Sequence, residues 1–448
     1  MQSALERDFK RVEKVLEQTP AIDRLAGIST EEFTARQACV WAALQARGFD
    51  AGLVFSDEHY DGDVPYLGGN TNIQIEQVAG VIGPCGFHIA TGLDGGYVAE
   101  QLAPRAKAVV HKTEMLKLGD EEYALEAETL GQVVEAAAGR KARHIALLTP
   151  RQVIPASLVL YLEQLFGAEN VGDAQDIYYR IKYEKSDCEM RLIRDASVIG
   201  DAMMRAMLAV LKPGMLETEV ASWGYFVGRQ LGAEQMGWDI MVNANTANRT
   251  IIGKALNRPI QPGDYVHLGV APKRDGLSGC VRRSCVAAGE GGALTSDQCY
   301  WFQLLGDAYQ AGWDAFRDVA ENGRPACLAE QALIDFFTAR QDEVERRLGH
   351  PVSLARLKPY TCVHNAGYTE CQEFFGAITL KSKEPLGHQL VLMLDIAIRG
   401  IGNRWDEVVV PGMDYLVLEN TCGKFGNRLE ELNQLPQNVQ ALVDRDPE

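Results

Sequence analysis

The sequence predicts an α/β protein built from two domains, with a boundary near residue 180. Three observations lead there. In the first 180 residues short apolar runs alternate with helical patterns, as expected when helices cover a sheet. Charges then cluster in YYRIKYEKSDCEMRLIRDA, from Tyr178, where a long capped helix begins. Past that point two pairs of helices are interleaved with further strand-like runs, and 448 residues give room for two cores rather than one. The domains are therefore expected at 1–180 and 181–448.

Each element has a local reason. MQSALERDFKRVEKVLEQTP is charged and helix-like, and Glu31 to Arg47 reads as an amphipathic helix. It leads into GFDAGLVFS, a buried strand beginning near Ala51, and then into the Gly-, Asp- and Asn-rich loop DEHYDGDVPYLGGNTN. QVAGVIGP, GGYVAE, AKAVVH and HIALLTP read as short strands between turns. Ser186 and Asp187 are good N-cap types for the long helix. Leu192, Ala196, Ile199, Met203, Ala206 and Val210 form one buried stripe along it, and Lys212-Pro213-Gly214 stops it. A second helix runs from Glu217 to Leu231. Strand-like IMVNAN, YVHLGVAP, CVRRSCVAA, VLMLDIAI and DEVVV follow, separated by helical 297–321 and 328–348.

Composition narrows the function classes. Hydrophobic residues make up 46% and charged residues 23%, an ordinary globular balance. A formal net charge of −17 repels phosphate backbones and argues against nucleic-acid partners. The first residues lack the apolar core of a signal peptide, and no run is long enough for a membrane span. The ten cysteines form no CxxC pair, which removes zinc-ribbon and thioredoxin readings. A cytoplasmic protein with reduced cysteines and no membrane partner is the expectation.

Six segments, taken in order, resemble the creatinase/aminopeptidase P/prolidase family. RIKYEKSDCEMRLIRDA is similar to R-x-x-K-s-x-x-E-i-x-x-i-r-x-A, and LKPGMLETEV to l-k-P-G-m-t-E-x-e-v. IQPGDYVHLGVAPKRDGLSGCVRRSCVAAG resembles l-x-x-G-D-l-v-x-x-D-x-g-x-x-x-x-G-y-x-x-D-x-t-R-t. HNAG resembles H-x-x-G, LGHQLVLMLDIA resembles l-x-x-G-m-v-x-x-x-E-p, and GNRWDEVVV resembles G-v-R-x-E-D-t-v-x-V. The resemblance implies an α/β (α+β) fold class: a creatinase-like α/β domain followed by a pita-bread domain. It also implies a homodimer, with the loop Asp57–Asn72 as the place to look for contributions to a partner's pocket.

Peptidases of that family hold two divalent ions with Asp, Asp, His, Glu and Glu. Two hard cations about 3.5–4 Å apart need several carboxylates to balance charge and fix an attacking hydroxide. Carried over, these positions fall on Gly269, Cys280, His364, Asp395 and Asp406, the last followed by Glu407. Gly269 has no ligand atom, and Cys280 is soft where a hard oxygen belongs. No metal is therefore expected, with a single ion on His364, Asp395 and Asp406 as the alternative. Creatinase works without metal through a histidine in the loop before its G-D strand. The loop here, NANTANRTIIGKALNRPIQPGD, has none; its place falls near Ile252–Gly253.

The resemblance and the chemistry together nominate a site. His364 is the acid–base candidate, since imidazole titrates near neutrality; the bland alternative is a buried structural histidine. Asp395 and Asp406 can share a proton or bind a cationic substrate group. Glu373, in CQEFFG, matches the glutamate of the family's H-E-x-P element, whose second histidine is replaced by Cys371 or Gln372. Arg283 and Arg404 can hold a substrate carboxylate through a bidentate fork or pair with the site's own acids. Glu407, His267, Cys280 and Cys371 complete the pocket candidates, each cysteine being a nucleophile or a small buried filler. The expected function is metal-independent hydrolysis of a C–N bond in a small amino-acid-like, amide or guanidino compound. The alternatives are a mononuclear Xaa-Pro-type peptidase and a non-catalytic binding module.

Overall fold

The computed structural model describes residues 2–69, 76–119, 126–246, 249–288, 293–369, 375–404 and 406–447. The chain forms two compact units. One comprises Ala26–Glu184 with Gly367–Phe375; the other comprises Met1–Leu25, Lys185–Ala366 and Gly376–Glu448. The opening residues thus pack with the second half of the chain rather than with the expected 1–180 domain. The reason is apolar: α1 (Gln2–Gln18) buries Val12 and Val15 in the same core as Met203, Met207 and Val210. Arg11 fixes the contact by donating to the carbonyl of Ala209 at 2.9 Å.

In the smaller unit, α2 (Thr30–Ala46) is capped by Ser29, whose side chain accepts from the Glu32 N–H. It precedes β1 (Ala51–Ser56), α3 (Asp63–Gly68), β2 (Val78–Gly83) and β3 (Gly86–Thr91). Then come α4 (Leu93–Leu102), β4 (Val109–Lys112), α5 (Leu130–Ala138), β5 (Ile145–Leu147), α6 (Ala156–Phe166), β6 (Val171–Asp173) and α7 (Gln175–Tyr183). The sheet order is β4-β3-β2-β1-β5-β6, and every residue of β1 is buried, as suits a strand covered on both faces. GGYVAE, expected as a strand, lies in α4. Gly95, Gly96 and Ala99 recur at helical spacing on its buried side, and Glu76 accepts from the Gly95 N–H at 2.6 Å. The strand is FHIAT, one segment earlier. The loop Asp57–Asn72 is described only to residue 69.

This unit carries a buried ion pair. Lys182 Nζ on α7 donates to Asp63 Oδ1 on α3 at 2.9 Å, with both side chains fully inaccessible. Thr149 Oγ1 donates to Asp63 Oδ2 at 2.5 Å, and Tyr179 donates to the same oxygen at 3.3 Å. Tyr368 belongs to this unit too, accepting from Arg36 at 2.7 Å and meeting Tyr66 edge-on.

The larger unit begins with α8 (Asp187–Val210). A reciprocal capping box between Ser186 and Glu189 starts it, and the expected stripe from Leu192 to Val210 is wholly buried. After α9 (Glu217–Leu231) come β7 (Gln235–Met236), β8 (Met241–Ala244), β9 (Tyr265–Val270), β10 (Pro272–Arg274), β11 (Leu277–Ser278) and β12 (Val281–Val286). The helices α10 (Ser296–Asn322) and α11 (Cys327–Leu348) form the second pair. The chain closes with β13 (Val363–Asn365), β14 (Gln389–Arg399), β15 (Tyr415–Phe425) and β16 (Arg428–Glu431). The main sheet runs β13-β14-β15-β12-β9-β8, with β16 on β15. DEVVV, expected as a strand, is a turn. The backbone N–H groups of Val409 and Val410 both donate to the Gly400 carbonyl, and the strand starts at Tyr415. No helix among the described residues is long and apolar enough to cross a membrane.

Candidate active site

Antiparallel register builds the site. Gly269 on β9 stands opposite Arg282 on β12, Arg282 opposite Glu419 on β15, and Glu419 opposite Asp395 on β14. Residues paired directly across a sheet share a face, so these four form one transverse row. His364 on β13 pairs with Met393, two residues before Asp395, and therefore lies on the same face one step along. The β13 strand is held for this purpose. Asp395 N–H donates to the Cys362 carbonyl at 2.8 Å, and Glu330 Oε2 accepts the Cys362 N–H at 3.0 Å.

Donor atoms of His364, Asp395 and Glu419 all lie within 4.8 Å of one another. His364 Nε2 is 3.4 Å from Glu419 Oε1. The other ring nitrogen, Nδ1, lies 3.1 Å from the Asn365 carbonyl, which can only accept, so Nδ1 carries a hydrogen. That leaves Nε2 as the atom turned to the carboxylates. Arg282 Nη1 reaches Asp395 Oδ2 at 3.4 Å and Glu419 Oε2 at 3.5 Å. Two tyrosines finish the network. Tyr360 accepts from Arg282 Nη1 and donates to Asp395 Oδ1, each at 3.1 Å, while Tyr415 accepts from Arg282 Nη2 at 2.9 Å. The two hydroxyls also bond each other.

The two acids are driven apart. Burial, then the negative charge of Glu419, pushes the Asp395 carboxyl well above the usual carboxylate range. Burial also opposes the charge of Glu419, but His364 and Arg282 outweigh it and hold that carboxyl below its ordinary value. Burial opposes the Arg282 charge as well, and the surrounding tyrosines and carboxylates more than restore it.

The nominated residues fall into three groups. His364 and Asp395 meet in the cluster. Cys280 is buried beside it, its N–H donating to Thr421 Oγ1 at 2.8 Å. His267 is buried on the same face two residues from Gly269, edge-on to Tyr415 at 5.1 Å, and burial followed by the Arg282 charge pushes its pKa well down. A second group goes elsewhere. Asp406 and Arg404 lie in the turn before β15, both side chains 78% exposed and 3.5 Å apart. Glu407 folds back on the same turn, accepting the Asn403 N–H at 3.0 Å. Arg283 points to the opposite face from Arg282, because neighbours on a strand alternate. Its guanidinium donates to the carbonyls of Arg282, Glu419, Leu435 and Pro436 and to Asn420 Oδ1, each at 2.8–2.9 Å, and so anchors the chain's last segment. Glu373 and Cys371 lie outside the described residues.

Glu419, Arg282, Tyr360 and Tyr415 were not nominated. Glu419 had a readable signal: it is a lone carboxylate in the apolar run YLVLEN, where a buried charge needs a reason. Arg282 had none beyond its neighbour, since only the register says which of two adjacent arginines faces inward.

Residues 191–373 match the model of "Metallopeptidase family M24". The "Uncharacterized peptidase YqhT" of Bacillus subtilis (strain 168) is 24% identical over 246 residues, which is 55% of this chain; the chain spans only 64% of that relative's length. Among solved structures, the prolidase from Pyrococcus horikoshii OT3 is similar with a TM-score of 0.69 and 13% identity, over 90% of this chain and 99% of that one. The X-Pro aminopeptidase from Thermotoga maritima MSB8 gives 0.69 and 15%, over 90% and 99%. The Xaa-Pro dipeptidase from Bacillus anthracis gives 0.68 and 15%, over 91% and 99%. These likenesses establish the pita-bread fold with its α/β partner.

Proposed function

Residues 191–373 belong to metallopeptidase family M24, and from that premise we propose that the chain is a hydrolase of C–N bonds in small amino-acid-like, amide or guanidino compounds. The observation that carries this is the cluster of half-buried His364 with buried Asp395 and Glu419 beside Arg282. The family implies two metal ions, and the donor set does not fit two. Gly269 offers no ligand atom, Cys280 replaces a hard oxygen with sulfur, and a guanidinium stands among the carboxylates. The remaining three donors suit one ion at most.

In this reading His364 moves the proton. Nδ1 is committed to a carbonyl, so Nε2 can take a proton from water or return one to a leaving nitrogen. Asp395, the more readily protonated acid, and Glu419, the more firmly ionised one, form a split pair of the kind that serves as donor and acceptor. With one cation against two carboxylates, the site suits a substrate amino or guanidino group. A second reading, a mononuclear metal-dependent Xaa-Pro-type peptidase, is favoured by the same three donors, which offer one imidazole and two carboxylates to an ion.

The test is turnover of a panel of N-acyl amino acids, guanidino acids and Xaa-Pro dipeptides, before and after chelation, with metal content measured. Activity surviving chelation supports the first reading; loss with recovery on adding one ion per chain supports the second. Under either, His364→Ala should lower kcat/KM by about 10²–10⁴-fold. Unchanged turnover in that variant on a responsive substrate would sink both.

A further inference from the structure

The transverse row explains what became of the cation that two adjacent buried carboxylates require. We propose that the Arg282 guanidinium is the built-in replacement for one divalent ion, so that the site balances its acids with a protein cation. This rests on the reading of His364, Asp395 and Glu419 as the reactive cluster.

Three independent features support it. First, Arg282 sits in register between Gly269 and Glu419 and reaches one oxygen of each acid, at 3.4 and 3.5 Å. A single positive group touching both acids is what a bridging ion would supply. Second, its charge is deliberately kept. It is 4% exposed, and its Nη atoms are held by the hydroxyls of Tyr360 and Tyr415 and, at 3.5 Å, by the Ile251 carbonyl. A buried guanidinium cannot neutralise itself by losing a proton, unlike an amine, so it is a permanent counter-charge. Third, the space is already filled. A β-carbon at Gly269 would lie 2.9 Å from Arg282 Cγ and 2.9 Å from Trp238 Cη2, below any ordinary contact. As Arg282 and Trp238 are placed, they leave no room for a side chain at 269. Missing ligand and added cation are one coupled arrangement.

The test is metal stoichiometry and affinity on chelator-stripped full-length chain, with Mn²⁺ and Zn²⁺ as probes, by calorimetry and elemental analysis. The wild-type chain should take up no more than one ion. Arg282→Met, which keeps the bulk and removes the charge, should bind Mn²⁺ at least about tenfold tighter, because the acids lose their counter-charge. Gly269→Asp combined with Arg282→Ala and Trp238→Leu, which clears both contacts, should accept one ion more than wild type, whereas Arg282→Lys should behave as wild type. Two ions in the wild-type chain, or equal Mn²⁺ affinity in wild type and Arg282→Met, would overturn the proposal. The wild-type stoichiometry decides even where a variant fails to fold, and no turnover is read, so failure of the substrate assignment would be seen separately.

Discussion

Both units bury charge, and they do so differently. In the smaller unit Asp63 and Lys182 form a closed account of one acid and one base. Both oxygens of Asp63 are filled by Lys182, Thr149 and Tyr179. In the larger unit two acids share one arginine through long contacts of 3.4–3.5 Å, with a histidine ring turned to them. A neutral, fully satisfied pair has no capacity to spare for a ligand. An unbalanced cluster retains a demand for positive charge or a proton, which a substrate can meet. Burial alone thus does not separate a structural charge from a functional one; the balance of charge and the length of the contacts do.

The largest expected effect breaks the closed pair. Lys182→Met leaves Asp63 buried without its base and should cost about 3–5 kcal/mol, read as a shifted urea unfolding midpoint, with turnover per folded molecule unchanged. A loss below about 1 kcal/mol would remove the contrast between the units. Asp395→Asn sharpens it from the other side. The fold pushes this carboxyl up, so its ionised form opposes folding, and the amide should gain about 1–2 kcal/mol at pH 7 while turnover collapses. A variant both less stable and fully active would refute that. Tyr360→Phe removes the hydroxyl joining Arg282 to Asp395 and should cost about 1–2 kcal/mol in thermal unfolding, with a smaller fall in kcat/KM than at Asp395. The smallest effect belongs to Asp406→Asn, on the exposed turn: stability within about 0.5 kcal/mol and kinetics indistinguishable from wild type. A large loss of activity there would return Asp406 to the site.

What could be read from the sequence follows from distance along the chain. The Ser186 cap, the Leu192–Val210 stripe and the helix Glu217–Leu231 are local, and all were legible. Motif order nominated His364 and Asp395, and the sheet brings those two side chains together. Glu419 and Arg282 depended on pairing between strands more than a hundred residues apart, which one sequence does not display. The error at Asp406 has the same origin. The acidic pair that opens DEVVV looked like the start of a strand, yet the buried strand with its carboxylate lay a turn further on. GGYVAE failed for another reason: it is too short for its period to separate strand from helix, and the helix buries its two glycines.

The crowded space above Gly269 also limits how the site can be altered. Trp238 and Arg282 occupy the position a side chain at 269 would need. Restoring an acid there alone produces a clash, and removing the arginine alone strands two carboxylates beside a hydrogen atom. Removing the arginine alone tightens the hold on one ion but adds no ligand, so a further ion depends on several positions changing together. A library that varies one residue at a time will pass over the form that holds a further ion, and only joint variation at 238, 269 and 282 will reach it.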